Sequence, residues 1–420
     1  MKHLQRILMF LALSLICVPA RSSGADLVTL NLGHVGHDHQ IAIYVAADQG
    51  KALEQSYGVY LNPLKDREVY ELFDRGRRVA RIHFIQVGGG SGMPAAMERG
   101  DIEVGLGGLG PVAKFVDKGA PFRVLAPLNN DGDSLVLRPD FPADSWDGFV
   151  DQVRRSEKPV KIGYKAPMAV AYMILTKALT EEGITYGQDP VGPDGKPVQI
   201  ITVNLQGSSN MVASLETGIV DGVVANEPDP ARLVFRNVGK KVADLSSLPP
   251  RGMWEGHPCC VVAATETVLK MKGDAVRSLL KLIISGADLM ARDPELAYAA
   301  ENRWTKTPDV VARRSVPSVS YVIRPDEQWL KAVDTWVRLM VSMKHFGGEL
   351  KDQSPGEIRN RLLDLDPVVR VIQLGHQLAM VGLTFFGLIS IIISLPLRDA
   401  TKGQLVTLLG ILVTAAVALS

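Results

Sequence analysis

The chain has 420 residues, enough for one large domain or two ordinary ones, and its 46 basic against 45 acidic residues leave a formal net charge of +1. That balance excludes a global electrostatic pull toward nucleic acid, and charge alone names no partner.

The N-terminus reads Lys2, His3 and Arg6, then the apolar run "ILMFLALSLI", then small residues ending in "SSGA". This is the three-part pattern of a secretory signal over residues 1–25, with cleavage expected after Ala25. The alternative is an uncleaved anchor, which the short apolar run disfavours. Ile16 precedes Cys17 where lipoprotein processing wants a small residue, so no lipid is expected there. The other cysteines, Cys259 and Cys260, are adjacent and cannot staple distant segments, so the exported domain must be held by its core.

From Asp26 to about Pro367, short apolar strands alternate with helical stretches punctuated by glycine, which predicts an α/β domain with mostly parallel sheets. The first loop, "GHVGHDHQ", groups His34, His37, Asp38, His39 and Gln40 before an apolar helical pattern. Three readings stand. In one, Asp38 caps the helix while His34, His37 or Gln40 donates to a polar ligand; in another, the histidines hold a metal together with thiols elsewhere; in the third, they are satisfied within the fold. The first is preferred, and no metal or cofactor is expected. The mixed-charge stretch Asn62 to Phe84 predicts a solvated helix or hairpin on the first lobe.

A duplication organises the rest of the domain. "SGMPAAMERGDIEVG" (Ser91 to Gly105) aligns without a gap on "SNMVASLETGIVDGV" (Ser209 to Val223), matching Gly100 with Gly218 and Glu103 with Asp221. Upstream, "LNLGHVGHDHQIAIYVAA" matches "VKIGYKAPMAVAYMILTK", with Gly33 on Gly163. The repeat predicts lobe one over 26–139, lobe two over 140–250, and a return to lobe one with C-terminal helices over 251–367. Six strand-to-helix junctions, three per lobe, should line a cleft beyond the carboxyl ends of the strands, where helix N-termini favour an anionic or strongly polar ligand. On this reading Gly90, Ser91 and Gly92 in "VGGGSGM" contact the ligand. Ser208, Ser209 and Asn210 do so in the matching place, with Lys165, Pro167, Met168 and Asn226 on lobe two. Lys165 is the best fixed positive charge for an anion. In "WEGHPCCVV", Cys259 and Cys260 read as buried small hydrophobes on a strand returning to lobe one; a metal site shared with the histidine loop, or a redox-sensitive pair, are the alternatives.

These motifs, namely Gly33 to Gln40, Gly88 to Gly108, "KIGYKAP" and "GSSNMVASLETGIVDGVVANEP", make residues 28–345 similar to the periplasmic solute-binding proteins of ABC importers for nitrate, sulfonates, taurine and thiamine precursors. The resemblance implies a type II periplasmic-binding-protein fold with a hinged cleft. It also implies a small polar, anionic ligand handed to a permease that a cytoplasmic ATPase drives. The chain has no GxxxxGK[ST] loop of its own. No enzymatic activity is expected: the thiamine-pyrimidine synthases of this fold use a longer cysteine cluster than "PCC". The alternatives from other classes are a membrane-anchored ligand-sensing receptor and, more weakly, an enzyme of thiamine-precursor type.

The C-terminal region departs from that family. A transmembrane helix is expected over 377–397, where Ala379 to Leu397 is nineteen residues without a charge. Arg398 and Lys402 follow it, favouring a cytoplasmic end and an extracytoplasmic domain tethered to the inner or plasma membrane. A second apolar segment, 405–420, reads as a short return helix or an interfacial one. The other reading of both runs is core helices of a soluble domain.

Overall fold

The computed structural model describes residues 27–89 and 92–375, with 377, 389–390, 403–407 and 409–410 beyond them. The expected signal peptide lies outside the described residues, as does the expected membrane helix save for residues 377, 389 and 390. Of the second apolar segment only 405–407 and 409–410 are described. Among the described residues no helix is long and apolar enough to cross a membrane.

The strands are β1 (Thr29–His34), β2 (Val59–Lys65), β3 (Val69–Asp74), β4 (Arg77–Gln86), β5 (Val104–Gly108), β6 (Phe122–Pro127), β7 (Asn130–Asp131) and β8 (Asp133–Leu137). They continue with β9 (Val160–Tyr164), β10 (Tyr186–Gly187), β11 (Ile200–Asn204), β12 (Gly222–Asn226), β13 (Lys240–Asp244), β14 (Cys260–Thr265) and β15 (Val319–Ser320). One sheet runs β2-β3-β4-β1-β5-β14-β6 and the other β10-β11-β9-β12-β8-β13, while β15 pairs with β7.

The duplication is visible as atoms. Glu103 N donates to Asn31 O at 2.9 Å and Asp221 N to Lys161 O at 2.8 Å. Reciprocally, Glu103 Oε2 accepts from Asn31 N at 3.2 Å and Asp221 Oδ2 from Lys161 N at 2.8 Å. In both lobes the acidic residue after the helix thus closes a ring on the opening strand, which explains why the "G-x-[IV]-[DE]" pattern occurs twice. Gly100 and Gly218 end their helices at φ of 79° and 70°, left-handed values where a side chain would be strained.

Two expectations need correction. The sheets are mixed: only β1–β4, β1–β5, β10–β11, β11–β9 and β12–β9 are parallel. Of the two forms expected for the charged stretch 62–84 it takes the hairpin, extended into a β2-β3-β4 antiparallel meander, because short turns can join only antiparallel neighbours. The lobe boundary also falls earlier than 139. β8 pairs with β12 and β13 in the second sheet, so the chain crosses over between Pro127 and Asp133. The chain then returns to the first sheet as β14, inserted between β5 and β6.

The helix Ile41–Gln49 is buried from Ile41 to Ala47. It packs against the first sheet and against the long helix Glu266–Arg292, which lies on the same sheet. At the crossing Gly286 meets the Ala42 carbonyl so closely that a Cβ there would lie 1.9 Å from its oxygen. The C-terminal helices Pro294–Thr305 and Asp309–Ser315 extend this cover to the loop 34–40. They decide how the loop's side chains are used.

Candidate functional site

A cavity of about 680 Å³ opens where the strands of both sheets end. The first sheet contributes Val35 to His37 after β1, Gln86 to Gly89 after β4, and Gly108. The second contributes Lys165 to Ala171 after β9, Asn204 and Gln206 to Ser209 after β11, and Asn226 with Pro228 and Asp229 after β12. Such a volume is in the usual range for a small-molecule site. The first turns of two helices, Leu109–Asp117 and Val170–Glu181, reach the wall at Pro111 and at Val170 and Ala171. Their free N–H groups make this end of the cavity favourable to negative charge.

The fixed charges are arranged as a shared pair. Lys165 Nζ lies 2.8 Å from Asp229 Oδ2 and donates to Asn226 Oδ1 at 2.6 Å. Arg232 approaches the other oxygen, Asp229 Oδ1, at 3.4 Å and donates to Thr307 at 2.6 Å. Burial pushes the Asp229 carboxyl upward, but Lys165, then Ser208 and Arg232, hold it below the usual carboxylate range. Lys165 and Arg232 thus share the carboxylate of Asp229. Asp133 also borders the cavity, but it is engaged by His257 Nε2 at 3.0 Å. His257 Nδ1 lies 3.1 Å from Asp131, and the two carboxylates overcome burial to raise the ring to about 10. This triad sits where the chain crosses between lobes.

Of the residues expected from the sequence, His37, Lys165, Pro167, Met168, Ser208, Ser209 and Asn226 border the cavity. Gly90 and Ser91 lie outside the described residues. Gly92 starts a helix, and Gly88 and Gly89 stand at the wall instead. Asn210 is turned back, its Nδ2 donating to Leu205 O at 2.8 Å.

Four members of the histidine loop are likewise directed into the protein. His34 Nδ1 meets the Tyr44 hydroxyl at 2.9 Å inside a box with Phe84 and Trp304, and burial lowers it to about 4. Gln40 is a buckle: Oε1 accepts from Val35 N at 2.7 Å and Nε2 donates to Leu106 O at 2.6 Å, tying the loop to β5. Asp38 does not cap the helix. His37 does so, its Nδ1 accepting from His39 N at 3.2 Å. Asp38 is fully buried with neither carboxylate oxygen in a hydrogen bond, and burial, then Glu301 and Glu227, push it well above the carboxylate range.

His39 is buried against the paired thiols, with Nδ1 3.3 Å from Cys259 Sγ and 3.9 Å from Cys260 Sγ. The adjacent thiol and burial raise Cys259, while burial lowers His39 to about 3. The pair therefore rests as thiol and neutral imidazole, and not as the thiolate and imidazolium of an activated cysteine nucleophile.

Sequence reasoning passed over Gln86, Asp133, Asn204, Asp229 and Arg232, all of which border the cavity. The junctions after β11 and β12 pointed to their neighbourhood, but Gln86 and Asp133 carried no signal, since neither the end of β4 nor the early crossing was expected at the cleft.

The residues 25–302 match the model of the NMT1-like family, and the chain belongs to that family. An uncharacterised protein of Methanocaldococcus jannaschii is 30% identical over 146 residues, 34% of this chain and 99% of that one. Among solved structures, the periplasmic nitrate-binding protein NrtA from Synechocystis superposes with a TM-score of 0.63 at 14% identity, covering 83% of this chain and 89% of that one. A zinc-bound ligand-binding component of an ABC-type import system from Staphylococcus aureus gives 0.61 at 12%, covering 81% and 97%. The periplasmic aliphatic sulphonate-binding protein SsuA from Escherichia coli gives 0.57 at 15%, covering 81% and 93%. At these identities the likeness is one of fold, and the fold is that of two-lobed ABC-type periplasmic binding proteins.

Proposed function

We propose that this protein is the solute-binding component of an ABC importer. It captures a small polar compound with an anionic group, of the nitrate, sulfonate or related organic-anion class, between its two lobes and delivers it to a permease. The observation that carries this reading is the cavity at the strand ends of both sheets, where Lys165 and Arg232 share a single carboxylate and two helix N-termini converge. His37, Lys165, Pro167, Met168, Ser208, Ser209 and Asn226 are the proposed ligand contacts, with Arg232 added. The hinge is assigned to the crossing at 128–132 and the return through 249–259. The protein binds and does not transform its ligand; the neutral resting state of His39 and Cys259 supports this. The N-terminal signal pattern and the apolar run 379–397 support an extracytoplasmic domain tethered to the membrane, which keeps it at high effective concentration beside its permease.

The test is a thermal-shift and calorimetric screen of the purified full-length chain against nitrate, alkanesulfonates, taurine and small carboxylates. A cognate anion at a hundredfold its Kd should stabilise the fold by about 2.7 kcal/mol. A flat response to the whole panel, with no small molecule co-purifying in native mass spectra, would sink the reading.

A further inference from the structure

The sulfur pair at the floor of the cleft takes no part in the proposed solute contacts. Cys259 and Cys260 both border the cavity, yet both are about 95% buried, and both Sγ atoms turn to the same partner, His39 Nδ1. Consecutive residues of a strand normally face opposite ways. Here the ladder is interrupted: Cys259 N donates to Asn129 O at 3.1 Å, while Cys260 N donates to the Asn129 side chain, also at 3.1 Å. Cys259 precedes the strand, which begins at Cys260, and both Sγ atoms lie on the His39 side.

We propose that His39, Cys259 and Cys260 form a binding site for a thiophilic divalent cation of the zinc class, with its fourth coordination position open to the cleft. The three ligand atoms lie within 4.8 Å of one another. Tetrahedral zinc with ordinary Zn–N and Zn–S bonds requires N···S edges of about 3.6 Å and an S···S edge of about 3.8 Å. The observed N···S distances of 3.3 and 3.9 Å bracket that value, and the S···S separation, within 4.8 Å, has at most about 1 Å to close.

The second observation is on the far side of the ring. His39 Nε2 is buried without a hydrogen-bond partner, and 4.0 Å from it lies Asp38 Oδ1, which is equally buried and unpartnered. Metal-ligating histidines commonly present their other nitrogen to a carboxylate. Gly132, at φ 84°, leaves room for the ring; a Cβ there would stand 2.9 Å from Nε2. A cation on Nδ1 makes Nε2–H a stronger donor toward the Asp38 carboxylate, 4.0 Å away. Binding displaces one proton from each thiol to solvent and changes no oxidation state.

The site is independent of which solute occupies the cleft. The test loads the reduced full-length chain with Zn²⁺ and, separately, with Co²⁺ as a spectroscopic substitute. One equivalent of zinc should survive dialysis, and the cobalt form should show a thiolate-to-cobalt charge-transfer band. X-ray absorption on the wild-type zinc form should find two sulfur neighbours at about 2.3 Å. Asp38→Asn, a near-isosteric change, should weaken zinc about 10- to 100-fold, and the double variant Cys259→Ser/Cys260→Ser should lose it. Substoichiometric zinc in the reduced wild-type chain overturns the proposal. So does a shell of nitrogen and oxygen alone, or full binding retained by the double variant.

Discussion

The loops that follow β1 and β9 descend from one repeated unit, occupy equivalent places at the ends of their strands, and are used in opposite ways. In lobe two Lys165, Pro167 and Met168 all border the cavity, while in lobe one only His37 of the five polar residues does. His34, Asp38, His39 and Gln40 are buried. The difference lies in what covers each loop from behind. Lobe one has the helix Glu266–Arg292 and the segment after it, from which Trp304 stacks on Tyr44 and Tyr321 donates to Asp38 O at 3.2 Å. Side chains that would face solvent in an uncovered loop are recruited there as structural groups. A duplicated backbone therefore sets where a loop stands but not which way its side chains serve.

The largest expected effect is at the connection between the lobes. His257→Leu removes the cation between Asp131 and Asp133 and leaves Asp133 buried without its partner, which should cost about 3–5 kcal/mol in chemical denaturation. A loss below about 1 kcal/mol would show that the triad does not hold the crossing. Next is the cover over lobe one. Gly286→Ala places a Cβ 1.9 Å from the Ala42 carbonyl oxygen, and the forced separation of the helices should cost about 3 kcal/mol. Hydrogen exchange should then rise in residues 34–49 and not in residues 164–181; equal loosening of both would refute the contrast.

The histidines give the contrast a pH signature. His34 is lowered from 6.5 to about 4, so below pH 6.5 the unfolded chain takes up a proton that the folded chain refuses. Its contribution to stability is full above pH 6.5 and falls as the pH drops toward 4. Asp38, Glu227 and Glu301, all raised, act in the opposite sense, since the folded chain keeps protons that the unfolded chain releases. The net slope mixes these signs, and the informative quantity is a difference between variants. His34→Phe should lose roughly 2 kcal/mol less than the wild type between about pH 7 and about pH 5. Parallel curves would mean that His34 is protonated in the fold.

The smallest effect on folding should be the most telling for function. Lys165→Met should weaken binding of the cognate anion tenfold or more, about 1.4 kcal/mol, with Arg232 left to hold Asp229. Gln40→Leu, in the equivalent loop, should lower stability and leave calorimetric affinity within about threefold. Similar losses of affinity in both variants would mean that lobe one's loop also reaches the ligand.

The sequence by itself determined the repeat, the strand-to-helix junctions and the cleft at their ends, because these are local: a glycine at a left-handed stop, and an acidic residue closing on the opening strand, read the same in both copies. The place of Lys165, Ser208, Ser209 and Asn226 at the cavity wall was legible for that reason. Only the tertiary structure decided the rest. The direction of a loop side chain depends on packing partners that arrive from far along the chain, as Trp304 and Tyr321 do over the first loop. Asp133 reaches the cavity because β8 pairs in the second sheet. His39 meets Cys259 across a separation of 220 residues. No spacing within the sequence encodes such a meeting, since it is fixed by the return of β14 between two strands of the first sheet.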